Sequence, residues 1–346
     1  LGRRDRAAVA SDCQKVPEVV PVEHPRIMQN RGPLSWFLRL LANRLREYQK
    51  GPYVMMEVLL MIAPFDAAKF KLDTRAQWDA HAKGWNDHSD EIRRWLRHAT
   101  DAMLAMAAIG PGSRVLDIAA GAGDQTLEIA DRVGPTGYVL ATDLSPAILQ
   151  LADENARRGG YTNIATKVAD GENLNIQDAV FDAAVCRLGL MLFPDPEAGL
   201  RQMFRALRPG ARACTMVFSK PEKNPCIAIL LTTALKHAGL PPPNPDRPGG
   251  LLSLGKPGRI DDLFTRAGFE GVATTSVSAP FRLPSVKHYM DFVQDSAGPI
   301  VEILGRFDEA GQQRAWLDIE RQLSAFQKAD GWEGPNELLI TVGRRP

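Results

Sequence analysis

From about residue 113 to residue 220, short apolar runs alternate with stretches whose apolar residues recur every three or four positions. Val115–Ile118, Tyr138–Asp143, Ile164–Val168, Val180–Arg187 and Ala211–Phe218 are runs of strand type. Thr126–Val133, Ala147–Arg158 and Glu197–Leu207 carry the helical period between them. Buried parallel strands read as near-continuous apolar runs, and helices that cover them read as amphipathic. The pattern predicts an open α/β sheet. The punctuation agrees. Gly134 stops the first helix, Ser145-Pro146 offers an N-cap and a first-turn proline for the second, and Gly159-Gly160 ends it.

Before this region, Asp73–Gly84 leads into Trp85-Asn86-Asp87-His88-Ser89. A helix follows through Trp95, Leu96, Met103 and Leu104, and Gly110-Pro111-Gly112 closes it. After Lys220 the pattern predicts helices over Cys226–Ala238, Ile260–Ala267, His288–Val293, Ile300–Leu304 and Gln312–Phe326. Strands are predicted over Val272–Phe281 and Glu337–Val342. The stiff loop Pro241–Pro248 interrupts these elements.

The first 70 residues differ. Residues 1–50 hold ten Lys/Arg and five acids, a surplus of five, so the rest of the chain carries a net −4. Pro17–Pro33 has no period. Leu34–Tyr48 has a helical one, with Trp36, Phe37, Leu40, Leu41 and Leu45 apolar, and Val54–Pro64 is an apolar run too short to span a bilayer. Three readings compete: a basic helix making weak contact with a membrane surface, a helix covering the following domain, and upstream sequence ahead of a start near Met55 or Met56.

Composition narrows the function classes. The 346 residues carry a formal charge of +1, which gives no global electrostatic case for nucleic acid. Cys13, Cys186, Cys214 and Cys226 form no close pair, so neither a disulfide framework nor a zinc site is expected. No apolar run is long enough for a membrane span, and a cytoplasmic location is expected.

The candidate chemistry begins at Asp117, followed by Ala119-Ala120-Gly121-Ala122-Gly123. Glycines there admit a ligand close to the backbone. The dinucleotide fingerprint fails, because its third small residue would fall at Thr126, and no lysine-serine pair marks a phosphate loop. Asp143 stands at the tip of the second strand, 20 residues after Gly123, where an acid can hold both hydroxyls of a ribose. Asp170-Gly171 follows the third strand. Phe181-Asp182 opens the fourth, whose tip is Cys186–Gly189. Leu207-Arg208-Pro209-Gly210 precedes the fifth.

In this order and spacing the residues resemble the class I S-adenosylmethionine-dependent methyltransferases, and most of all the ubiquinone/menaquinone C-methyltransferase-like small-molecule enzymes. The resemblance covers roughly Trp85–Lys220, and the rest of 75–346 more loosely. It implies a Rossmann-like, doubly wound sheet of seven strands with the last antiparallel, and a helical lid. It divides the chain into an extension over 1–70 and a methyltransferase domain over 71–346, with a cofactor core at 111–220 and a lid and sheet edge at 221–346. S-adenosylmethionine is the implied cofactor. Its implied contacts are Trp85, Asp117, Ala119, Gly121, Gly123, Gln125, Asp143, Leu144, Asp170, Gly171, Cys186 and Arg187, with Asp170 on the adenine amino group. Direct methyl transfer needs no metal and no covalent residue, so Cys186 is expected to pack rather than to attack.

The lid carries no motif that converts to chemistry. His237, His288 and Tyr289 are its candidates for acid–base roles. An apolar lid suits a small, largely apolar acceptor of quinone-like, phenolic or isoprenoid class, methylated at O, C or N. Arsenite is disfavoured, since only Cys186 lies on an expected pocket edge. The competing readings are a non-catalytic nucleotide-binding or partner protein with the same fold, and a nicotinamide-dependent reductase. The missing third glycine and Asp170 oppose the reductase. The oligomeric state is not legible.

Overall fold

A computed structural model describes residues 65–346, apart from Pro243, Pro245 and Asp246. The readings made on residues 1–64 lie outside the described residues. A compact unit runs from Asp66 to Pro346. Its first helix, α1, spans Ala67–Asp87, so a domain boundary at residue 70 falls inside it. Asp66 caps that helix, its carboxylate accepting from the Lys69 amide at 2.9 Å.

The central sheet has seven strands: β1 (Arg114–Ile118), β2 (Tyr138–Asp143), β3 (Ile164–Val168), β4 (Phe181–Arg187), β5 (Leu207–Phe218), β6 (Glu270–Ser278) and β10 (Glu337–Arg344). Their order is β3-β2-β1-β4-β5-β10-β6. All neighbours pair in parallel except β10, which runs antiparallel to β5 and β6. This is the expected doubly wound sheet with its last strand reversed. Strand order turns around between β1 and β4, and ligands of such sheets bind outside the carboxyl ends of the strands at that point.

Helix α2 (Ser89–Met106) precedes β1, and α3 (Asp124–Val133), α4 (Pro146–Arg158), α5 (Pro196–Ala206), α6 (Pro225–His237) and α7 (Arg259–Arg266) lie in the connections between strands. Ser145 caps α4, with its hydroxyl accepting from the Ile148 amide at 3.2 Å, and Pro146 occupies the first turn. Asp195 and Pro196 repeat the device at α5. Val115 and Leu116 on β1 and Ala183, Ala184 and Val185 on β4 are fully buried, which is why these strands read as unbroken apolar runs.

The lid comprises α8 (Val286–Ser296), α9 (Gly298–Leu304) and α10 (Glu309–Leu323), with a three-stranded sheet of β7 (Phe281–Leu283), β8 (Gln327–Lys328) and β9 (Gly331–Gly334). The strand expected over Val272–Phe281 is two strands. Proline at 280 cannot donate to a ladder, and the chain leaves the main sheet at Ala279 to pair Phe281 with Gly334. The helices expected over His288–Val293 and Ile300–Leu304 extend to 286–296 and 298–304, and the one expected to reach Phe326 yields at Leu323 to a short 3-10 turn. Among the described residues no helix is long and apolar enough to cross a membrane.

Candidate active site

The loops after β1, β2, β3 and β4 meet at one edge of the sheet and enclose a pocket that α1 covers. The β1 loop is shaped by backbone in unusual regions. Ala119 (φ 55°), Gly121 (φ 59°) and Gly123 (φ 88°) are left-handed, as is Leu188 (φ 58°) just beyond β4. Two non-glycine residues in that region, Ala119 and Leu188, both line the pocket. Strain of this kind is retained where a site demands it. Gly189 separates them: a Cβ there would lie 2.4 Å from the Ala119 Cβ.

Beneath the loop, Asp117 is fully buried. Gln125 Nε2 donates to its Oδ1 at 2.6 Å and Thr126 Oγ1 to its Oδ2 at 2.7 Å. These bonds tie the first turn of α3 to β1. Burial pushes the Asp117 carboxyl up to about 7, against the Thr126 hydroxyl, the Arg187 charge and the Gln125 amide. Gln125 lines the pocket, and its Oε1 is buried with no hydrogen-bond partner among the described residues. It is an acceptor awaiting a donor.

Asp143 is a second acceptor. Its Oδ2 accepts from the Gly121 amide at 3.0 Å and its Oδ1 from the Ser145 amide at 2.9 Å. With the Leu144 amide donating as well, the roughly four acceptor sites of a carboxylate leave room for one further donor. Burial pushes this carboxyl up as well, opposed by the Ser145, Gly121 and Leu144 amides. At the third loop Asp170 accepts from the Glu172 amide at 2.9 Å. Its Oδ2 is held at 2.7 Å by Lys71 of α1, which also reaches Glu172 Oε2 at 2.5 Å. Arg187 at the tip of β4 forms a buried ion pair with Asp124 and donates to Thr100 Oγ1 at 3.1 Å. It is thus already committed to the protein at the pocket floor.

Trp85, Ala119, Gly121, Gln125, Asp143, Leu144, Asp170, Gly171 and Arg187 therefore all line the pocket. Asp117, Gly123 and Cys186 do not. Asp117 acts from below through Gln125. A Cβ on Gly123 would meet the Ala152 Cβ at 2.9 Å, so that glycine is required by the packing of α4. Cys186 is fully buried, and burial pushes its thiol up to about 12, as expected of a packing cysteine.

A second, larger cavity of about 340 Å³ adjoins the first. Phe70, Thr74, Trp78, Trp85, Leu188 and Leu192 line both. Its walls are aromatic. Trp95 stacks on Phe281 at 4.7 Å, Phe281 meets Phe292 edge-on at 5.1 Å, and Trp78 meets Trp85 edge-on at 5.4 Å. The Trp95 indole N–H donates to the Ala279 carbonyl at 2.7 Å, which leaves its ring faces for apolar contact.

Of the lid candidates only Tyr289 lines this chamber. It stacks on Trp332 at 4.4 Å, and burial pushes its phenol well above the ordinary value. It stays protonated near neutral pH and can donate a hydrogen bond, but it cannot take a proton. His237 bonds Asp318 at 3.1 Å and His288 bonds Ser285 at 2.9 Å; neither lines either cavity. Helix periodicity located the lid elements but not which face of each turns inward. His81, missed from the sequence, does line the chamber. The signal was present: Trp78, His81, Trp85 and His88 recur at three and four residues, on one face of α1.

Residues 90–230 match the ubiE/COQ5 methyltransferase family. A ubiquinone/menaquinone biosynthesis C-methyltransferase UbiE from Ectopseudomonas mendocina is 37% identical over 142 residues, covering 41% of this chain and 54% of that protein. The enzyme of the same name from Pasteurella multocida is 35% identical over 138 residues, covering 40% and 50%. The chain thus spans about half the length of the curated relatives it matches. Among solved structures, the YcgJ protein of Bacillus subtilis aligns with a TM-score of 0.49 at 16% identity, over 72% of this chain and 99% of that one.

Proposed function

We propose that this chain, whose residues 90–230 are a segment of the class I S-adenosylmethionine-dependent methyltransferase kind, methylates a small, largely apolar acceptor of quinone-like or phenolic class. One observation carries the reading: an acceptor-rich pocket at the sheet's switch point shares the lining residues Trp78, Trp85, Leu188 and Leu192 with an aromatic chamber.

The pocket fits the cofactor by its donor set. S-adenosylmethionine offers an ammonium, two ribose hydroxyls and an adenine amino group, all donors. The pocket offers the Gln125 Oε1, the Asp143 carboxylate and Asp170. When bound, the cofactor supplies an activated methyl on a sulfonium. The rest is the chain's work. Asp143 and Gln125 would fix the polar ends. Trp78, Trp85, Leu188 and Leu192 border both cavities, so the two reactants would meet there with little water between them. The stacked walls around Trp95 and Phe281 suit a flat ring better than a polar polymer.

Calorimetric titration with S-adenosylmethionine, its demethylated product and NADH tests the pocket. The first two are expected to bind and NADH is not. Asp143→Ala should weaken S-adenosylmethionine binding by roughly 1.5–3 kcal/mol, as for a lost hydrogen bond to a charged group. Unchanged affinity in a folded Asp143→Ala protein would remove Asp143 from the site.

A further inference from the structure

We propose that His81 is the catalytic proton acceptor of this site. The inference rests on the methyltransferase reading above and adds to it the residue that takes the acceptor's proton.

Among the described residues, four titratable side chains line the chamber: Asp73, His81, Tyr289 and Glu302. Asp73 is paired with Lys69 at 2.6 Å with 55% of its side chain exposed, and Glu302 is paired with Arg306 at 3.0 Å with 48% exposed. Both are solvated carboxylates at the rim. Tyr289 is a buried phenol that keeps its proton. That leaves the one imidazole, the side chain suited to take and release a proton near neutral pH.

Its placement is specific. His81 lies one helical turn from Trp78 and one from Trp85, and both of those border the two cavities. His81 Nδ1 lies 3.2 Å from the Asp295 carbonyl oxygen of α8. A carbonyl only accepts, so Nδ1 carries the hydrogen, and the neutral ring presents a lone pair at Nε2. Two glycines permit this arrangement. A Cβ on Gly84 would lie 2.2 Å from that same carbonyl oxygen, and a Cβ on Gly298 would lie 2.9 Å from His81 Cδ2. A side chain at either position would displace the carbonyl or the ring. The charged groups on elements packed against the ring are the Asp295 carboxylate of α8, which His88 Nε2 holds at 3.1 Å, and Glu302 of α9, which Gln77 contacts one turn before His81.

The step balances. A hydroxyl or ring carbon of the acceptor forms its bond to the methyl as the methyl–sulfur bond breaks, with the bonding pair staying on sulfur. The proton released from that oxygen or carbon passes to His81 Nε2, and from there to water at the open rim.

The test pairs His81→Asn with wild type. Asparagine keeps a donor for the Asp295 carbonyl and removes the proton-accepting nitrogen. Transfer from labelled S-adenosylmethionine is measured on a panel of phenols and hydroquinones. We expect kcat to fall roughly a hundredfold or more. The acceptor KM and the calorimetric affinity for S-adenosylmethionine should stay within a few-fold, and the acidic limb of the pH–rate profile should vanish. A kcat within threefold of wild type with the same acidic limb would overturn the proposal while leaving the methyltransferase reading standing. So would equal losses in cofactor affinity and kcat. A wild-type protein that labels no acceptor refutes the underlying reading, and this proposal with it. Independently of activity, ¹⁵N imidazole spectra should show His81 in its Nδ1-protonated neutral form, its signal identified by loss in His81→Asn. An Nε2-protonated ring would overturn the assignment.

Discussion

Asp117 shows how much a single residue can do without touching a ligand. Its carboxylate accepts from Gln125 and Thr126, which ties the first turn of α3, where Gln125 lines the pocket, to β1. The cost appears as pH dependence. The carboxyl titrates at about 7 in the fold against 3.8 ordinarily, so the folded state holds the proton more tightly. Its contribution is fully present below 3.8 and is lost as pH rises through about 7. In urea titrations, wild-type stability relative to Asp117→Asn should therefore fall as pH is raised between about 4 and about 7. A difference that does not change with pH would show that Asp117 is ionised throughout. The two loop glycines also part company at this scale. Both valine variants put a β-branched residue into left-handed backbone, and Gly123→Val adds a clash with the Ala152 Cβ at 2.9 Å, so it should lower the melting temperature further than Gly121→Val, whose Cβ would stand 3.5 Å from Trp85 Nε1 at the pocket wall. Equal melting temperatures for the two variants would contradict that division.

Among the elements, α1 is the one that assembles the site. It packs on α4, α8 and α9 and supplies walls to both cavities. Asp79 accepts from the Ser145 hydroxyl at 2.5 Å, and Lys71 bridges to Asp170 and Glu172. The helix thus fastens over the first pocket with a two-carboxylate clasp. Lys71→Met should speed release of the demethylated product roughly three- to tenfold, as for two partly exposed ion pairs, read by stopped-flow tryptophan fluorescence. An unchanged rate would mean that apolar contacts hold the helix closed. Much of the sheet was legible in the sequence, because buried parallel strands announce themselves as apolar runs; the run Val180–Arg187 starts one residue before the observed β4 and ends with it. Asp143, Asp170 and the β1 loop were legible because strand tips fix their position. The lid was not. Its helices α8 and α9 are set by packing against α1 and α10 by packing against α6, and a period tells where a helix lies, not which histidine faces inward. His81 could have been chosen over His237 and His288 from the tryptophans flanking it at helical spacing.

At the scale of the molecule, the conserved geometry of an open sheet and the particular chemistry of a lid meet along one seam. The sheet edge presents carboxylate and amide acceptors; the lid presents stacked rings and a few polar atoms. The family match ends at residue 230, so most of the chamber's lid walls, Phe281, Tyr289 and Phe292 among them, lie beyond it. Under the proposed methyl transfer, acceptor choice would therefore be the property in which this chain has most room to differ from its relatives. The measurement that bears most directly on the central claim is transfer of label from S-adenosylmethionine to a mixed panel of phenols, hydroquinones, small amines, tRNA and a basic peptide. The account predicts label in the phenols or hydroquinones, and none in the tRNA or peptide. Label confined to tRNA or peptide would contradict it.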